Sequence, residues 1–180
     1  MTVGTKSVLF GAHCFLIHWI FVAIGWTKLY GFPIDPRLWV AFFVHDIGYI
    51  GKPNMDGAEG ELHPYWGACF MGVLFGKKWF DFCLLHSRFL AKKLGEDYSK
   101  LCVADKMAFQ VQPRWMYLPM ATWSGEVNEY MDKCKTKYSK EVPSPSDKVE
   151  WHKNTKKFMA TWIETYKVVQ RDNVTKIEHY

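Results

Sequence analysis

Apolar residues recur along this chain with the spacing of helices, and no segment alternates convincingly in the manner of a strand. The pattern predicts seven helices, separated by turns and by loops that contain Gly and Pro. Their expected bounds are about 5–28, 37–48, 61–76, 78–94, 98–111 and 126–140, and the last helix is expected to start after Ser146 or Asp147 and to end near Gln170. We therefore expect an all-α protein.

The turn residues predict several helix ends and a division of the chain into two parts. Asp35 is the expected N-cap of a helix whose first residue is Pro36, and Gly95 is an expected C-cap. The stretch QPRWMYLPMATWSGE, which contains Pro and Trp, is expected to be irregular. We expect residues 1–112 to form a compact helical core and residues 113–180 to form a helical extension packed on it.

The N-terminal segment 8–24, VLFGAHCFLIHWIFVAI, is long and apolar enough to suggest a membrane span. It contains His13 and His18, however, and imidazoles are unfavourable in lipid. We therefore expect a buried core helix here rather than a membrane anchor. A buried helix that carries His also needs a partner for that side chain.

Composition and charge limit the cellular compartment and the binding partners that we expect for this protein. Hydrophobic residues make up 49% of the chain and aromatic residues 17%, which is enough for a substantial core. The net charge of +5 favours an anionic substrate but is too small to predict binding to long nucleic acid. Five cysteines without a CxxC pair indicate a reducing compartment, and we expect a cytoplasmic protein. The sequence leaves a homo-oligomer open.

Histidine and aspartate occur at several places within otherwise apolar sequence, where a soluble helix rarely places them. The residues concerned are His18, His45, Asp46, His63, His86 and Asp105. Imidazole and carboxylate groups together bind ions such as Zn, Fe or Mn. We therefore expect these side chains to meet around one or two divalent transition metals, and the donor set does not distinguish Fe, Mn, Zn, Co and Ni.

The segments HDIGYIGKP, HPYWGA and VADKMAF stand in an order that resembles the HD superfamily of metal-dependent phosphohydrolases. Within it, the order is most similar to the dinuclear HD-GYP branch, and the resemblance covers roughly residues 13–110. The chain departs from that branch because Tyr49 replaces its Lys and because the GYP segment is absent. The resemblance thus implies an HD-type helical bundle but does not extend to the cyclic di-GMP substrate of that branch.

The resemblance also implies a ligand set. His18 corresponds to the first-helix ligand, with His13 as the alternative, and it would share the first metal with His45, Asp46 and Asp105. Asp46 would bridge to a second metal that His63 and His86 also bind.

The implied function is metal-assisted hydrolysis of a phosphate ester of a nucleotide or a small phosphorylated metabolite. Asp46 would take part in catalysis through the metals, and the cations that could hold phosphate are Lys52, Arg88, Lys92 and Lys106. Tyr49 or Trp66 could stack on a base. Two alternatives stay open: a di-iron oxygenase of the HD type, which uses the same order of ligands, and a non-catalytic nucleotide-binding module.

Overall fold

A computed structural model describes residues 1–137 and 146–168, and these residues form helices and turns without a strand. The all-α prediction is thereby confirmed for the described part of the chain. The helices are Val3–Phe10 (α1), His18–Tyr30 (α2), Pro36–Val44 (α3), Pro64–Phe75 (α4), Lys77–Leu84 (α5), Arg88–Leu94 (α6), Lys100–Val111 (α7), Arg114–Ser124 (α8), Glu126–Lys137 (α9) and Lys148–Tyr166 (α10). Short 3-10 turns cover Ile47–Tyr49 and Gly60–Leu62.

The prediction of one continuous helix over residues 5–28 is wrong, because residues 11–17 form a turn between α1 and α2. The backbone N–H of Ala12 donates to the Glu126 carboxylate at 2.7 Å instead of continuing the helix. Gly11 is needed at this point, since a Cβ there would lie 2.6 Å from Glu126 Oε1. A buried carboxylate from the distant α9 therefore interrupts the apolar segment.

Two other predicted helices are shorter or divided. The helix expected over 37–48 ends at Val44, and the helix expected over 78–94 is interrupted at residues 85–87. In both places the helix ends one or two residues before a histidine, His45 or His86. Helix α4 likewise begins directly after His63, with Pro64 at its first position.

The stretch expected to be irregular forms the helix α8, so that prediction is wrong. Pro113 precedes the first residue of α8, where its missing N–H costs nothing. Pro119 lies inside the helix and is exposed, which lets solvent satisfy the carbonyl that loses its partner. The two prolines therefore stand where a helix tolerates them, and the stretch is helical in spite of them.

Several predicted helix ends are confirmed. Asp35 caps α3 by accepting from Arg37 N, with Pro36 at the first position. Gly95 ends α6 with φ +69°, and Asp147 caps α10 through Val149 N and Glu150 N. The expected last residues of the sixth and seventh helices, Lys140 and Gln170, lie outside the described residues.

The main core lies between α2, α3, α4, α5 and α7, and it is rich in aromatic rings. Helix α2 packs along α7, where Gly25 permits close approach because a Cβ there would lie 2.7 Å from Ala104 O. Helix α10 covers the other side of α7, and α8 packs on α1. The division at residue 112 stays a prediction. In the described ranges, none of the helices has both the length and the apolar character needed to cross a membrane.

Candidate metal centre

Six buried side chains from five separate segments meet between the helices. They form two groups that share one residue: His18, His45, Asp46 and Asp105 in the first, and Asp46, His63 and His86 in the second. Within each group, one ligand atom per residue lies within 4.8 Å of every other. These buried His/Asp groups could hold metal ions, and Asp46 offers one carboxylate oxygen to each.

The helix ends place three of the histidines and fix their orientation. The Nδ1 atoms of His45 and His63 lie 2.9 and 2.7 Å from the carbonyl oxygens of Phe42 and Gly60, three residues earlier. His86 Nδ1 makes the same contact with Cys83 O. Since a carbonyl only accepts, each Nδ1 carries the proton and each Nε2 is left with a lone pair. Carbonyls at the ends of helices or turns thus direct three lone pairs into one site.

Distances between the donor atoms match those expected around metal ions. In the first group, His18 Nε2 lies 3.1 Å from Asp105 Oδ1, and Asp46 Oδ2 lies 3.3 Å from His18 Nε2 and 3.2 Å from His45 Nε2. In the second group, His63 Nε2 lies 3.1 Å from His86 Nε2, and both lie 3.3–3.4 Å from Asp46 Oδ1. Ligand atoms about 2.1 Å from a metal, at tetrahedral or octahedral angles, lie about 3.0–3.4 Å apart.

Within the described part of the chain, two of these atoms have no hydrogen-bond partner although they are buried. They are His45 Nε2 and Asp46 Oδ2, which face each other as two acceptors. His63 Nε2 and His86 Nε2 likewise present two lone pairs to each other. Buried acceptors in mutual contact are unfavourable unless a cation lies between them.

The two carboxylates of the site are ionised in spite of their burial. Burial opposes ionisation of Asp46, but the neighbouring histidines outweigh it and hold its pKa well below its usual range. Burial likewise opposes ionisation of Asp105, but Lys106 and His18 outweigh it and lower the pKa. The site therefore carries the negative charge that a divalent cation requires.

The histidines differ in their protonation. Burial lowers the pKa of His45, and it lowers that of His63 to about 4, so both are neutral ligands at pH 7. Burial also disfavours charge on His18, but its hydrogen bond to Asp105 and the negative charge of Asp46 outweigh it and raise the pKa to about 9. A metal in the first group would take the place of the proton on His18 Nε2.

The aromatic residues considered for base stacking lie in different surroundings. Tyr49 is buried, and its ring stacks on His63 at 3.7 Å between centroids. It therefore supports the orientation of a candidate ligand. Trp66 is half exposed and stacks on Phe70, so part of its surface is accessible to a ligand.

The cations predicted to hold phosphate are spread over three places. Lys106 Nζ lies 2.7 Å from Asp105 Oδ2, at the edge of the first group. The guanidinium of Arg88 lies over the ring of Trp162, 5.1 Å from its centroid, and thus against α10. Lys52 is half-buried in a loop tied to α1 by the hydrogen bond from Gly4 N to Lys52 O. Lys92 is exposed on α6.

His13, the alternative first ligand, belongs to neither group. Its Nδ1 lies 3.0 Å from Glu126 Oε2, and its ring lies beside His18 with 5.3 Å between centroids. No motif in the sequence singles out Glu126. It starts a helix that is otherwise rich in charged residues, and only its position after Ser124 and Gly125 set it apart.

Comparisons with known proteins do not identify a relative of this chain. No family model, curated protein or solved structure matches the chain. The resemblance to the HD superfamily therefore rests on the motifs alone and stays a prediction. The candidate site is characterised by its own geometry: two adjoining groups of buried His and Asp side chains at metal-binding distances, bridged by Asp46.

Proposed function

We propose that the protein binds two divalent transition metals at these groups and is a metal-dependent phosphohydrolase. Its substrate would be a nucleotide or another small phosphate ester. The observation that carries the proposal is the inward orientation of acceptor atoms, with His63 Nε2 and His86 Nε2 only 3.1 Å apart. Such a contact between lone pairs is stable with a cation between them.

The side chains of the site have distinct roles in this proposal. Asp46 gives Oδ1 to the second group and Oδ2 to the first, so it would hold an ion in each group. Bound divalent ions lower the pKa of a coordinated water and stabilise charge on phosphoryl oxygens. Lys106 would complete the first group by keeping Asp105 ionised and in place.

Support for phosphate chemistry comes from the sequence and from charge. The order of the His and Asp segments resembles HD phosphohydrolases, and Lys106 stands beside the site as a cation. Trp66 is exposed near His63, since it is on the first turn of α4, and could stack on a nucleobase. Arg88 and Lys52 stay candidates for phosphate binding.

The test combines metal analysis with a panel of nucleotides and phosphate esters, read by phosphate release. We expect bound metal in the purified protein and anaerobic turnover with Mn²⁺ or Co²⁺. His45→Ala and Asp46→Ala should lose metal and activity, while His152→Leu, which replaces a buried histidine outside both groups, should retain both.

Other outcomes would point to the alternatives. Oxygen-dependent turnover with iron and no phosphate release would indicate a di-iron oxygenase. Thermal stabilisation by nucleotides without any product would indicate a binding module. Full metal content and activity in both His45→Ala and Asp46→Ala would contradict the assignment of the site.

A further inference from the structure

A second polar cluster lies beside the metal groups, centred on the carboxylate of Glu126. This side chain is fully buried, and five donors surround it. Oε1 accepts from Ala12 N and Ser124 Oγ, both at 2.7 Å. Oε2 accepts from Ser7 Oγ at 2.9 Å, from His13 Nδ1 at 3.0 Å and from Tyr130 OH at 3.4 Å. Burial opposes ionisation, but the bonds to His13 and the other donors outweigh it, so the pKa of Glu126 is lowered.

These bonds decide which nitrogen of His13 carries the proton. An ionised carboxylate only accepts, and the single hydroxyl proton of Ser7 already points to Glu126 Oε2. Nδ1 of His13 must therefore be the protonated nitrogen. In the neutral ring, the lone pair is at Nε2, which has no hydrogen-bond partner among the described residues.

The ring of His13 also lines a narrow cavity that reaches the first metal group. The polar walls of this cavity are His13, His18, His45 and Asp46, and the others are mainly apolar, including Phe15 and Phe43. Its free space suits about one water molecule. The side chain of His13 keeps 18% of its surface exposed, so it also communicates with solvent.

We propose that His13, oriented by Glu126, accepts a proton at Nε2 from a water molecule that binds in this cavity. The inference rests on the proposed phosphohydrolase function. The water oxygen forms the new bond to phosphorus as its proton passes to Nε2, and the ester P–O bond breaks with its electron pair on the leaving oxygen. Solvent supplies a proton to that oxygen. Nε2 of His13 then releases its proton to solvent, so the ring becomes neutral again.

A buried carboxylate that fixes the tautomer of a histidine is a common way to prepare a proton acceptor. A histidine with a purely structural role would need its bond to Glu126 but would have no influence on turnover. The two roles therefore differ in kinetics and not in stability alone. They also differ from the role of a ligand, because loss of His13 should leave both metals bound.

The experiment compares wild type with His13→Gln and Glu126→Gln, with His152→Leu as the control for loss of a buried histidine. Metal content and thermal stability are measured for each protein, followed by kcat and KM for phosphate release. The tautomer of His13 is read by ¹⁵N NMR on the Zn²⁺-loaded proteins, a measurement that needs no turnover.

We expect the neutral His13 of the wild type to carry its proton on Nδ1. His13→Gln should keep the metal content of the wild type and lose about 100-fold or more in kcat, with little change in KM. In Glu126→Gln the side-chain amide can donate to Nδ1, so we expect the proton on Nε2, full metal content and a similar loss in kcat. The control should keep its kcat.

Three results would overturn the inference. The first is a proton on Nε2 in the neutral His13 of the wild type, and the second is a wild-type kcat in His13→Gln. The third is loss of metal from His13→Gln in proportion to its loss of activity, which would make His13 a ligand. If the metal-loaded wild type releases no phosphate, the proposed function fails and the inference fails with it, whereas the first three results leave the proposed function intact.

Discussion

At the scale of single residues, the site depends on the direction in which imidazole nitrogens point. The His45, His63 and His86 side chains each use Nδ1 to satisfy a carbonyl three residues earlier. Each bond satisfies a carbonyl near the end of a helix or turn, and it leaves the Nε2 lone pair of the histidine pointing into the site. The sequence indicates that these histidines stand in apolar surroundings, but it does not reveal the tautomers, which depend on the helix ends.

The bridging position of Asp46 predicts different losses of metal for different substitutions. Asp46→Ala removes an oxygen from both groups, so we expect neither metal to bind tightly. His63→Ala removes a ligand from the second group alone, and we expect one metal per chain to remain. Metal content after gel filtration and dialysis measures both, and His152→Leu serves as the control. Equal metal content in the two variants would contradict a shared Asp46.

Because His152 is buried, we expect it to make the stability of the folded protein depend on pH. Its ring is buried beside Phe109 and Tyr117, and Nε2 has no hydrogen-bond partner in residues 1–137 and 146–168. Burial, with Lys156 and Arg114 nearby, lowers its pKa to about 4. The unfolded chain takes up this proton near pH 6.5, so the free energy of unfolding falls as pH decreases from 6.5 to 4, by about 3 kcal/mol from this group.

Urea unfolding of wild type and His152→Leu at several pH values checks this expectation. Carboxylates titrate in the same range in both proteins, so only the difference between the two curves reports on His152. We expect the wild type to lose more stability than the variant between pH 6.5 and 4. Parallel curves would contradict a neutral buried His152.

At the scale of elements, the candidate site depends more on where the helices end than on the helices themselves. The periodicity predicts most helical segments, Asp35 and Gly95 are correct as caps, and α10 starts after Asp147 as expected. The interruptions near Gly11 and at residues 85–87 could not be predicted, because the partners that favour them come from distant or adjoining segments. One of these partners is Glu126, which lies on the predicted extension.

The close contact between α2 and α7 allows a test of whether helix packing supports the candidate metal centre. His18 begins α2 and Asp105 lies on α7, and Gly25 brings these helices together. Gly→Ala inside a helix normally stabilises it, but here the new Cβ would meet Ala104 O at 2.7 Å. We expect Gly25→Ala to lose about 1–3 kcal/mol of stability and to bind metal more weakly at the first group than at the second.

Urea unfolding and metal titration of Gly25→Ala measure these effects. Ile24→Ala is the matched control, because it changes the neighbouring residue of the same helix, which is partly exposed. We expect the control to retain metal affinity and most of its stability. A Gly25→Ala protein as stable as wild type would contradict a tight contact between the helices.

At the scale of the whole molecule, the candidate site joins parts of the chain that lie far apart in sequence. The ligand groups span His18 to Asp105, and helix α9 adds Glu126 beside them. The motif order could predict which side chains meet, since each is a His or Asp in apolar sequence. It could not predict Glu126, because a single acidic residue at the start of a charged helix carries no distinguishing pattern.

The most direct measurement is anomalous diffraction from crystals of the metal-loaded protein. The account predicts two peaks about 3.5–4 Å apart, one among His18, His45, Asp46 and Asp105, and the other among Asp46, His63 and His86. Metal bound elsewhere on the protein, with no anomalous peak between these side chains at saturating metal, would contradict it.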